Sequence, residues 1–469
     1  MSTPDSSPPV TEIKESLYQK HQIIHMRSVT GFFNKWRWGT VFLSQLIFYG
    51  LCWLPWNGRQ AVLFDLVERK FYLFGLVFWP QDVFYLAILL IISAYALFLI
   101  TAVGGRLFCG YACPQTVYTE IMMWIEEKIE GPRSARIKLE KQPMNGRKLR
   151  LKITKHAAWL AVSLWTGFTF AGYFTPIQTL GADFLSFSLG PWQIFWIFFY
   201  AFATYGMAGF LREQVCKYMC PYARFQSVMF DPDTLIVTYD KARGESRGPR
   251  GKKENYKSAG KGDCVDCGIC VQVCPTGIDI RDGLQYECIG CSACIDGCDE
   301  VMDKLGYPRG LIRYSTENAI EKKWGMREIV GHIFRPRIYL YSAILIAIII
   351  AAAWGIAVRS PLKANVIRDR ATLAREVEDE KIENMYTLRL MNTDERPRQY
   401  RVTATGINSL EVMGEPEVAL EGASTKSFMF SVRIRNDAEK KGSHPFHFDI
   451  VDTEDSSVHL KEKAVFIVP

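Results

Sequence analysis

Histidine is scarce in this chain, with seven in 469 residues. There is no C-x2-C-H haem-attachment site, no G-x-G-x-x-G dinucleotide fingerprint and no phosphate-binding P-loop. These absences exclude a covalent haem and a nucleotide entry point within the chain. Any electrons it handles therefore come from a separate donor, either a cytoplasmic ferredoxin- or flavin-type protein or a membrane quinol. The N-terminus is polar and rich in Pro and Ser, with no cleavable signal peptide. Residues beyond 358 contain no cysteine, so the tail needs no disulfide in an oxidising compartment.

Cysteine, by contrast, is concentrated. Eight of the thirteen fall in two copies of C-x2-C-x2-C-x3-C: Cys264, Cys267, Cys270, Cys274 and Cys288, Cys291, Cys294, Cys298. Three thiolates at this spacing wrap one face of a cubane, and the fourth cysteine of each copy ligates the other cluster. Two [4Fe–4S] clusters are expected, one on Cys264, Cys267, Cys270 and Cys298, the other on Cys288, Cys291, Cys294 and Cys274. Paired C-x2-C also suits zinc, but the 2-2-3 rhythm favours iron–sulfur. Asp299 stands where a proline would complete the symmetry with Pro275. The thirteen residues Pro275–Glu287 are expected to form a short strand–turn–helix element.

Five charge-free apolar runs account for much of the remaining length: Thr40–Trp56, Phe84–Val103, Ala157–Thr175, Trp192–Leu211 and Ile338–Val358. Each is near the ~20 residues that cross a bilayer as a helix. Trp36, Trp38, Trp53 and Trp56 flank the first as interfacial anchors. Phe71–Trp79 is apolar but too short to span, and reads as an interfacial segment.

Segments 104–156 and 213–336 carry eleven and eighteen Lys and Arg, against three in 57–83 and none in 176–191. The positive-inside rule then puts the N-terminus and ferredoxin motif in the cytoplasm and the C-terminal segment outside. The formal charge of +7 follows mostly from this bias. The Gly- and Lys-rich run Lys241–Lys261 reads as a flexible linker near anionic membrane lipid, not as a nucleic-acid site.

A second cysteine constellation is repeated. Cys109-Gly-Tyr-Ala-Cys113-Pro follows the second run and Cys216-Lys-Tyr-Met-Cys220-Pro follows the fourth. Cysteines at i and i+4 share one helix face, while the proline biases the second out of helical geometry and suits the start of a new helix, here Gln115–Ile129. Arg106, Arg212 and Lys217 lie nearby and would favour thiolate. Pairing the repeats, within one chain or across a homodimer, would give a soft site for Cu(I), zinc or iron–sulfur, a third cubane included. Small buried hydrophobes at helix ends are the plainer reading. Cys52 reads as packing. His156 and His332 precede the third and fifth runs and form a candidate bis-histidine haem pair.

On these motifs, and on Pro221–Asp231 and Arg243–Gly248, the chain resembles the cytochrome c oxidase accessory protein family (CcoG, also called FixG or RdxA). The resemblance implies a membrane-bound cupric reductase serving assembly of a cbb-type oxidase. Cys109, Cys113, Cys216 and Cys220 would then be both copper ligands and catalytic groups. Copper chaperones and oxidase assembly factors would be its partners. The alternatives are a quinol dehydrogenase subunit and a copper chaperone or scaffold without turnover.

Alternating apolar residues in Tyr386–Met391, Gln399–Thr405, Ser427–Ile434, Pro445–Val451 and Val458–Val468 predict a β-sandwich. His444 and His447 are read as turn decoration. The expected architecture is thus mixed. Residues 1–39 form a cytoplasmic segment and 40–230 a four-helix membrane domain. A linker and ferredoxin-like α+β domain occupies 231–336, a fifth span 337–358, and a periplasmic immunoglobulin-like sandwich 359–469.

Overall fold

The computed structural model describes residues 24–251, 260–369, 374–377 and 381–469. Most of the expected N-terminal segment, and 252–259 of the basic run, lie outside the described residues. The long helices are α1 (Phe32–Gly50), α2 (Val83–Gly104), α6 (Gly146–Gly172), α8 (Pro191–Thr204) and Pro336–Ala357; α3 (Leu107–Tyr111), α4 (Pro114–Glu130), α5 (Arg133–Lys141) and α7 (Ile177–Leu185) connect them. Three stretches, Pro80–Gly104, Pro191–Leu211 and Pro336–Ala357, are long and apolar enough to cross a membrane. The other two expected runs fall largely in α1 and α6, whose first turns carry Lys35 and Arg37, and Arg147, Lys148, Arg150, Lys152 and Lys155.

Helix α2 and helix Pro336–Ala357 run antiparallel. Tyr85 donates to the Gly355 carbonyl (2.9 Å) at one end, and Arg335 donates to the Ala102 carbonyl (2.7 Å) at the other. Ion pairs fix both ends. The buried Asp82 carboxylate holds Arg359 (2.6 Å) and Lys363 where the sandwich begins, and Asp231 holds Arg335 (2.8 Å) and Arg337 (3.1 Å) at the far end. Phe71–Trp79 was expected only to lie at an interface. It contributes to a three-stranded meander, Val62–Asp65, Lys70–Leu73 and Leu76–Phe78. Pairing satisfies its backbone groups while Val62, Leu63 and Val77 are buried. Beside it, Arg59 and Asn57 reach Glu395 of the sandwich.

The ferredoxin motif packs at the Asp231 end. Its helices Ile269–Gln272 and Ala293–Leu305 each follow a left-handed residue, Gly268 (φ 66°) and Ser292 (φ 62°). No strand forms between the two copies. Pro275 lacks a backbone donor, and Gly277 (φ 72°) and Gly283 (φ 99°) turn the chain, leaving only the single 3-10 turn Ile280–Asp282. The sheet comes instead from the flanks, with Ile236–Tyr239 antiparallel to Ile312–Ser315. Asp296 accepts from Phe33 N (3.3 Å) and Asn34 N (2.7 Å), capping α1 from the ferredoxin side. The described start of the basic run is also fixed, contrary to a wholly flexible linker. Arg243 pairs with Asp263 (2.5 Å) and Arg250 donates to the Cys264 carbonyl (2.8 Å).

The C-terminal sandwich has one sheet in the order Glu411–Met413, Thr425–Arg435, Lys381–Asn392, Leu362–Arg368, with Arg375–Val377 also on Lys381–Asn392. The second runs Glu417–Leu420, Arg398–Thr405, Gly442–Asp452, His459–Val468. All pairs are antiparallel, and Tyr386, Leu388, Phe430, Phe446, Phe448 and Phe466 fill the space between the sheets. His444 and His447 lie on a strand, not in a turn.

Candidate metal centre

The two C-x3-C-P motifs fold alike. Each follows an apolar helix that ends at a positive-φ residue: Gly105 (φ 56°, ψ −114°) and, 107 positions later, Arg212 (φ 43°, ψ −112°). Each second cysteine donates its N–H five residues back, Cys113 to Phe108 O (2.9 Å) and Cys220 to Val215 O (2.8 Å). Each then adopts an extended conformation and becomes the N-cap of a proline-started helix, α4 and α9 (Pro221–Met229). The proline removes a donor that the helix start would leave unpaired, so the break is cheap.

The repeats meet within one chain. Cys109 lies within electrostatic reach of Cys113 and Cys216, and Cys216 of Cys113 and Cys220. Burial pushes the Cys109 thiol up to about 12 and Cys216 up to about 11; Arg106 opposes this for both but does not prevail. The expected thiolate bias from neighbouring cations therefore fails in the bare protein, because desolvation outweighs one guanidinium at this depth. Arg212 is taken up elsewhere, by Glu126 (2.7 Å).

The ferredoxin cysteines fall into two sets. Cys298 is within reach of Cys270, Cys267 and Cys264, and Cys294 of Cys291, Cys288 and Cys274. Cys274, Cys288, Cys291 and Cys294 line one cavity together with Cys270. Among the described residues, no three His, Cys, Asp or Glu side chains converge as a single ion requires. All-thiol sets at the 2-2-3 spacing, in apolar surroundings, fit a [4Fe–4S] group. Cys267 is exposed, whereas Cys291 is buried.

Contact between the two constellations is direct. A Cβ added to Gly110 would lie 2.8 Å from Gly290 O and 2.9 Å from the Cys291 backbone. Cys109 and Cys216 pack against Val273, Ile289 and Cys291. Tyr314 donates to Gly290 O (2.8 Å), fixing that loop. A cleft of 20 Å³, room for about one water, is lined by Cys216, Thr276 and Ile289. Cys52 is buried among Ala171, Ile177, Leu180 and Ile197, as packing. His156 bonds Tyr205 (3.0 Å), and His332 stacks on Trp324 (4.0 Å between centroids), so each ring is engaged separately.

Sequence reasoning missed Glu126. It lies on α4 and faces Arg212 (2.7 Å), Lys155 (3.5 Å) and Arg136 (3.6 Å) at 3% side-chain exposure. Its sequence signal, one of four glutamates on α4 and next to Glu127, is indistinguishable from a surface residue. Arg212 bears a positive φ, a strain of about 1–3 kcal/mol, which its ion pair and a bond to Gly209 O (2.8 Å) help offset. Burial raises the Glu126 pKa, but Arg212, Lys155 and Arg136 outweigh it and hold the carboxyl below its usual value. This stability is present above the unfolded value of 4.5 and fades as pH falls through the lowered folded value. Glu126→Ala leaves the buried Arg212 and Arg136 without their carboxylate, while Lys155 keeps Glu130 (2.9 Å), and is expected to cost about 3–5 kcal/mol at neutral pH. Chemical denaturation checks this, and the deficit should shrink in acid.

Family models match three regions: a 4Fe-4S binding domain over residues 86–132, a 4Fe-4S dicluster domain over 211–317, and the immunoglobulin-like fold at the C-terminus of FixG over 352–469. Nitrogen fixation protein FixG of Rhizobium meliloti is 37% identical, the match covering 84% of this chain and 81% of that protein. Protein RdxB of Cereibacter sphaeroides is 39% identical over 86% and 85%, and RdxA of the same organism 37% over 87% and 88%. With this identity over nearly its whole length, and ferredoxin-type iron–sulfur domains joined to the FixG C-terminal fold, the chain belongs to the FixG/RdxA family of electron-transferring proteins.

Proposed function

We propose that this protein is a membrane-bound cupric reductase, with Cys109, Cys113, Cys216 and Cys220 closing on the copper substrate as it binds. The supporting observation is the seat of Gly110 on Gly290–Cys291, which puts a half-buried four-thiol site against a ferredoxin cysteine. In this reading Cys264, Cys267, Cys270 and Cys298 hold one [4Fe–4S] group, and Cys274, Cys288, Cys291 and Cys294 the other. Those groups supply single electrons, the stoichiometry Cu(II) reduction needs. The thiols favour Cu(I) over Cu(II), so binding and reduction act in the same direction. Loss of water from the cleft strengthens each electrostatic contact there. Five spans, a cytoplasmic ferredoxin domain and a periplasmic sandwich in a bacterial inner membrane complete the proposal. Delivery of Cu(I) through chaperones to a cbb-type oxidase is its biological extension.

The test starts from purified protein whose iron–sulfur groups have been reduced with dithionite and freed of excess reductant. Addition of Cu(II) should restore the oxidised absorbance and yield Cu(I) to a chelator. Absorbance that stays reduced in the presence of Cu(II) would sink the reductase reading. A second reading has its own support: residues 86–132, whose cysteines are Cys109 and Cys113, match a model described as a 4Fe-4S binding domain. The four thiols would then hold a third cubane. Metal analysis separates the two, with about eight iron atoms per chain for two cubanes and about twelve for three.

A further inference from the structure

A second cavity, of 260 Å³, lies between α6, the π-helical end of α8 and the described start of the chain. That is close to the ~300 Å³ at which small-molecule sites begin. Its walls are aromatic: Trp159, His156 and Phe210, with the His156 ring stacked on Phe210 at 5.7 Å and 15°. Its polar lining is balanced in charge, with Glu126, Glu140 and Glu213 against Lys152, Lys155 and Arg212. A phosphate or a metal ion gains little from such a lining, whereas a neutral ring with two oxygens matches it.

Two buried polar atoms on cavity-lining residues have no partner, His25 Nδ1 and Arg212 Nη1. Burial lowers the His25 pKa and so favours the neutral imidazole, and its unpartnered Nδ1 is the atom available to take a proton. The site sits where α6 changes from its basic first turns to its apolar run, and Phe210 beside it is 55% exposed on an apolar surface. Arg212 and Glu213 line both this cavity and the cleft containing Cys216. The chain has no nucleotide fingerprint, so its electrons come from an outside donor.

We infer that this cavity binds a membrane quinol, the two-electron donor of the reaction proposed above, on which the inference rests for its oxidant. The balance is one quinol and two Cu(II) giving one quinone, two Cu(I) and two protons. Two O–H bonds break and the electrons leave one at a time. The His25 imidazole accepts one proton, and the lining carboxylates relay the other to water. Arg212 stabilises the oxygen that carries developing negative charge.

The test uses the full-length protein in detergent without copper, so failure here is distinct from failure of the copper reading. Menadione should quench tryptophan fluorescence saturably through Trp159. Menadiol should reduce the iron–sulfur groups, seen by loss of their visible absorbance. His25→Ala should slow this reduction at least 10-fold, and Phe210→Trp, which fills the cavity, should weaken menadione binding at least 10-fold. Dithionite should still reduce both variants fully. Absence of saturable quenching, or rates and affinities unchanged in both variants, overturns the inference. So does reduction by a reduced ferredoxin but not by menadiol, which would place the donor site near exposed Cys267.

Discussion

Gly110→Val should uncouple the four-thiol site from the ferredoxin domain while leaving both cysteine sets intact. The Cβ alone would lie 2.8–2.9 Å from Gly290 O and the Cys291 backbone, and these backbone atoms have no rotamer by which to escape. The two segments must move apart. Electron tunnelling falls exponentially with distance, and a misplacement of about 1 Å at a reacting centre costs on the order of 10²-fold. Overpacking of this kind also costs about 1–3 kcal/mol. The expected phenotype is full iron content, full copper content and cupric reduction slowed at least about tenfold, measured by stopped-flow reoxidation. Gly39→Ala is the control. It too replaces a helical glycine, but its added Cβ meets nothing within 4 Å, so the rate should be unchanged. Equal rates in wild type and Gly110→Val would remove the contact from the mechanism.

The combined substitution Cys109→Ser and Cys216→Ser should lower copper affinity by more than about 100-fold, the loss seen when even an outer partner of a metal ligand is removed. Serine is a hard donor that does not ionise at neutral pH, so it keeps the volume and loses the soft sulfur. One cysteine is removed from each repeat, and each packs beside Cys291, so the effect should be near complete. Cupric reduction should fall to the rate without protein. Iron and visible absorbance should stay at wild-type levels under the copper reading. A fall of about one third in iron would instead mark the thiols as ligands of a third cubane.

The parts of this protein were legible because each has a local signature. Cysteine spacing announced the iron–sulfur domain, proline after the second cysteine announced the new helices α4 and α9, and two-residue alternation announced the sandwich strands. The errors came where the deciding force is not local. Arg106, Arg212 and Lys217 looked like thiolate-stabilising neighbours, yet Arg212 is held by Glu126 on another helix and burial dominates the thiols. Phe71–Trp79 read as an interfacial segment without showing that its backbone would find strand partners in Val62–Asp65. The stretch between the ferredoxin copies looked long enough for a strand, but Pro275 and its two glycines spend it on turns.

The sequence by itself determined which chemistry this chain can host, because ligand type and spacing are properties of a few neighbouring residues. It also determined that a membrane is involved, because apolar length is additive along the chain. Only the tertiary structure decided that the two C-x3-C-P repeats close on each other within one molecule and that Gly110 rests on Gly290–Cys291. It alone assembled the charge-balanced cavity of His25, Glu126, His156 and Arg212. Those residues lie scores to hundreds of positions apart, and only close packing of whole helices sets the distances between them.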